Sequence, residues 1–108
     1  MPVGSIAGLT LTEPVAAFLR KHAADEAFRL FSQIVEDCYP ELARPEAEVR
    51  EDPDESDRRR VLIQGFVPAS LSPDVLSERR QQYHRLLIET VPLAFIPLFH
   101  LRIYQGEN

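Results

Sequence analysis

A chain of 108 residues with 44% apolar and 27% charged residues has the make-up of one soluble globular domain. Its net charge of -5 argues against a general nucleic-acid binder, which carries a basic surplus. The single cysteine, Cys38, excludes an intramolecular disulfide framework, and the longest apolar run, residues 91–99, is too short for the roughly 20 residues of a membrane helix. The N-terminal segment has no basic region ahead of its weakly apolar part, so it does not read as a signal peptide, and a cytoplasmic location is expected.

In chain order, residues 1–11 are expected to be loosely ordered, as are residues 105–108. Residues 13–22 place Val15, Phe18, Leu19 and His22 on one helical face, opened by Thr12 and Pro14. Residues 26–38 place Ala27, Phe31, Ile34, Val35 and Cys38 on one face. The two stripes are out of phase, so one straight helix cannot bury both. The spacing predicts two helices, or a sharply kinked one, with Asp25 as the second N-cap.

Alternation over residues 46–51 predicts a polar edge strand. Residues 60–67 are apolar on both faces, Val61, Ile63 and Val67 on one and Leu62 and Phe66 on the other, which suits an inner strand. Ser72-Pro73-Asp74 opens a third helix running to Thr90, with Leu76, Tyr83, Leu87 and Thr90 along one side. Residues 96–104 alternate and read as a last strand. The order predicts an α+β domain: N-terminal helices, then β-β-α-β, giving a three-stranded mixed sheet with helices packed on one face. The first two strands pair antiparallel, and a crossover makes the last parallel to the second. Strand order leaves the last strand beside either the first or the second; the apolar character of 60–67 favours the second at the centre.

Charge is uneven along the chain. Residues 46–57 hold seven acids and one base, whereas residues 58–102 hold seven bases and three acids. The strand ending near Glu51, the turn Asp52-Pro53-Asp54, the apolar strand, the arginine-bearing helix and the final strand together resemble small bacterial α+β proteins with an Asp-Pro-Glu turn. Some of those are encoded beside toxin genes, so the resemblance implies an antitoxin-like role. It covers residues 46–104 and leaves out the first 40. Asp54 stands where the pattern has glutamate, and no catalytic residue carries over.

No catalytic constellation is legible. The four glycines are too scattered for a phosphate loop, and His22, His84 and His100 lack metal-ligand spacing. A calcium loop opening at Asp52 would need glycine at 57 and glutamate at 63, where Asp57 and Ile63 stand. No cofactor or metal is expected. His22 is expected partly buried on its apolar stripe, His84 exposed, and Cys38 buried rather than reactive. Two sets of residues stand out. Arg58, Arg59 and Arg60 with Asp52, Asp54 and Glu55 form a charged loop suited to selecting a charged partner. His100, Arg102 and Tyr104 share one strand face and form a candidate ligand surface.

The leading expectation is a non-catalytic module that binds another protein or itself through a sheet edge or face. A small enzyme or ligand-binding domain using His100, Arg102 and Tyr104 is the alternative from another class. A nucleic-acid accessory protein using an arginine patch is the third; nucleic acid is disfavoured as a partner because Tyr83 alone is too thin a stacking platform. No membrane partner is expected.

Overall fold

The computed structural model describes residues 2–6, 9–51 and 59–106. Strands β1 (Pro2–Ile6) and β2 (Leu9–Thr12) are followed by helices α1 (Glu13–Lys21) and α2 (Asp25–Cys38). Next come β3 (Ala43–Glu51), β4 (Arg59–Pro68), helix α3 (Pro73–Thr90), a short 3-10 turn (Ile96–Leu98) and β5 (Phe99–Gly106). The order β3-β4-β5 forms one mixed sheet, with β3 antiparallel and β5 parallel to the central β4. This is the α+β architecture expected from the alternation of patterns, with the most apolar strand at the centre.

The first residues depart from expectation. Pro2–Ile6 and Leu9–Thr12 pair as an antiparallel hairpin, and Leu11 is buried in the main core. Gln105 and Gly106, expected to be loosely ordered, belong to β5, which keeps its pairing with β4 as far as Gly106.

Helices α1 and α2 are separate, as their phases require, but the junction differs in detail. Ala23 adopts φ 51°, and the amides of Ala23 and Ala24 donate to the carbonyls of Arg20 (3.2 Å) and Leu19 (2.8 Å). That is a Schellman ending, which normally uses glycine at the left-handed position. Ala24, not Asp25, is the N-cap of α2: its amide closes α1 while its carbonyl accepts from the amide of Phe28 at 2.8 Å. Asp25 instead sits in the first helical turn, where its charge suits the helix dipole. Thr12 makes no side-chain cap, whereas the Ser72 hydroxyl accepts from the Val75 amide at 3.2 Å and opens α3. A left-handed alanine costs about 1–2 kcal/mol, and glycine returns roughly 0.5–1 of it in unfolded-state entropy. Ala23 is exposed, so Ala23→Gly is expected to stabilise the domain by about 0.5–1 kcal/mol in urea titration. A loss of stability would contradict the assignment.

The core lies between one sheet face and the helices. Val61, Ile63 and Val67 of β4 are fully buried there with Val15 and Leu19 of α1 and Phe28 and Phe31 of α2. An aromatic cluster fastens the layers. Phe31 stacks on Phe99 of β5 with centroids 5.0 Å apart and meets Tyr83 of α3 edge-on at 6.2 Å; Phe28 lies 5.8 Å from Phe99. Thr90, expected on the inner side of α3, is exposed at the end of that helix; Tyr83 and Leu87 supply its buried face. Gly65 has a packing reason, since an added Cβ would stand 2.8 Å from Leu42 Cδ1 and 3.1 Å from the Ala43 carbonyl oxygen.

Candidate functional site

Among the described residues the helices pack on one side of the sheet only, so its second face and its two edges are where a partner can reach it. The two edges are not alike. β3 carries Pro45, which offers no amide, and its register with β4 shifts between Ala43 and Glu46. Strand β2 also lies against β3. These are the devices by which proteins blunt an edge. β5 has none of them. It has no proline, its register with β4 is unbroken from Phe99 to Gly106, and no other strand among the described residues pairs with its outer side.

Beside that outer side runs a cleft of about 500 Å³ between β5 and α3. Leu101 and Ile103 form its strand wall, Leu76 and Tyr83 its helix wall, with Arg80 and His84 also lining it. Two contacts anchor the elements around it. Arg79 of α3 forms a half-buried ion pair with Glu41 in the turn after α2. The Gln105 side-chain amide donates to the Leu71 carbonyl at 3.1 Å, joining the end of β5 to the loop before α3. Burial pushes the Tyr83 hydroxyl well above the usual phenol range, so it stays protonated. Tyr39, at the end of α2, is pushed up by burial as well, against the pull of the Arg80 charge.

The open face carries the residues singled out from the strand pattern. His100, Arg102 and Tyr104 are all exposed and lie in register beside Leu62, Gln64 and Phe66 of β4. Phe66 and Tyr104 pair with ring centroids 5.6 Å apart and remain about two-fifths exposed. Leu62, on the same face, is only 3% exposed. Partial burial, then the charges of Arg102 and Arg60, holds the His100 imidazole below its usual range. On the β3 side Glu48 accepts from Arg50 at 2.7 Å and from the Gln64 amide at 3.2 Å, which satisfies that carboxylate locally.

The remaining predicted residues fall apart. Asp52, Asp54, Glu55 and Arg58 lie outside the described residues. Arg59 is exposed at the start of β4, and Arg60 is half-buried on the open face opposite Arg50. His84 is exposed beside Tyr83, with centroids 5.2 Å apart. His22 is exposed rather than partly buried. It is the C-cap of α1, where the chain turns away, and its ring lies on Phe18 at 4.4 Å. Cys38 is buried in the core, and burial pushes its thiol up, away from the reactive thiolate. Among the described residues no group of three or more His, Cys, Asp or Glu side chains is arranged to hold a metal ion. No described helix is long and apolar enough to cross a membrane.

Sequence reading missed the cleft, although half of its signal was present in the alternating Leu101 and Ile103 of the last strand. Neither a family model, a curated protein nor a solved structure matches this chain.

Proposed function

We propose that this protein is a non-catalytic interaction module that accepts an extended segment of a protein partner as a fourth strand on the outer side of β5. One observation carries this reading: β5 is long, regular and unguarded and opens beside an apolar-walled cleft, while the opposite edge is blunted three ways. Backbone hydrogen bonds along an edge supply affinity without regard to sequence, and pockets for alternate side chains supply selectivity. The β5 edge offers the first and the Leu101–Ile103 wall the second. The resemblance over residues 46–104 adds support for one instance of such a module, an antitoxin that masks its partner.

The test is affinity capture of the partner by the intact chain and by Ile103→Lys. The side chain of Ile103 is half-buried on the cleft wall, so the substitution costs the fold little. Captured partner is expected to fall at least tenfold with the thermal midpoint lowered by only a few degrees (about 1 kcal/mol or less). Equal capture by both chains would remove β5 from the interface.

A further inference from the structure

The docking reading leaves the occupant's own chemistry unspecified. We infer that the occupant is a strand of another protein with apolar residues at alternate positions and carboxylates between them, rather than a second copy of this chain. This rests on the β5-edge reading and deepens it.

A strand added to a sheet continues its two faces, so its side chains alternate between the cleft and the open face. On the cleft side its neighbours are Leu101 and Ile103, across from Leu76 and Tyr83, which calls for apolar side chains. On the open side its neighbours are His100, Arg102 and Tyr104. Residues 99–106 contain no acid. Arg102, and Arg80 on the cleft, form no ion pair among the described residues. A cross-strand carboxylate opposite Arg102 is therefore the group the edge lacks, and a lysine there would be repelled.

A second copy does not supply it. Two β5 strands pairing antiparallel about a twofold axis keep their faces in phase only if even-numbered residues oppose even-numbered ones. The central registers then set Arg102 against the copy's Arg102, His100 or Tyr104. None brings a carboxylate.

The experiment titrates the 15N-labelled full chain with two synthetic peptides, acetyl-Thr-Glu-Ile-Glu-Val-Glu-Thr-amide and its counterpart with lysine at each glutamate. The acidic peptide is expected to shift the β5 amide signals with a Kd about tenfold below that of the lysine peptide, and Arg102→Glu, an exposed substitution, is expected to invert the order. Equal affinity of both peptides at β5 would keep the edge reading and overturn the acidic occupant. No shift from either peptide at millimolar concentration would overturn both. Concentration-dependent shifts along β5 in the protein alone would make the occupant a second copy and overturn the inference.

Discussion

Phe31→Ala is expected to cost roughly 3–5 kcal/mol, a large fraction of the 5–15 typical of a whole domain. Phe31 is fully buried and is the one ring that touches helix, sheet and crossover helix together, through Phe28, Phe99 and Tyr83. Its removal leaves a cavity that three elements would have to close at once, which a packed interior does poorly. Urea titration should show the midpoint falling with the slope unchanged. The companion Phe66→Ala is expected to cost about 1 kcal/mol or less, because Phe66 lies on the open face with 43% of its surface already in water. Similar losses for the two variants would mean that the second face is covered as well.

Leu11→Ala is the second large expectation, at roughly 2–5 kcal/mol. Leu11 is 5% exposed and belongs to the same core as Val15, Phe28 and Ile63. Were the N-terminal segment loosely ordered, as expected from the sequence, the same substitution would stay within about 0.5 kcal/mol. The two outcomes are well separated, so one denaturation curve decides whether the hairpin is an integral part of the fold. The hairpin also matters for function in this account, because β2 contacts β3, the edge strand that is not proposed to bind.

The contrast between these two positions shows what was legible in the sequence. Phe31 announces itself: it recurs with Ile34, Val35 and Cys38 at helical spacing, and such spacing survives whatever the helix packs against. The strands β4 and β5 were equally readable, since an apolar run and an alternating run need no tertiary information. Leu11 was not readable. Its strand is four residues long, its neighbours are glycine and threonine, and its pairing with Pro2–Ile6 is irregular between Pro2 and Gly4. Ala43 and Pro45 hid the start of β3 for a related reason: proline reads as a break, yet an edge strand tolerates it on the side that needs no donor.

The candidate site divides the same way. That His100, Arg102 and Tyr104 share a face follows from the period of two, and the structure places them together. Whether that face is open, and that α3 stands off from β5 to leave a cleft, depends on how the crossover helix settles beside α2. The Arg79–Glu41 pair bridges positions 38 residues apart, and the Gln105–Leu71 contact bridges 34. No local pattern encodes either one.

The central claim is that the outer side of β5 is an open strand edge. Residue-resolved amide hydrogen exchange on the full chain tests it most directly. In a strand paired on one side, alternate amides point at the neighbour and the others at solvent. The account predicts strong protection at every second amide from Phe99 to Gln105, rapid exchange at those between, and uniform protection along β4. Uniform protection along β5 would contradict it, because both sides of that strand would then already be paired.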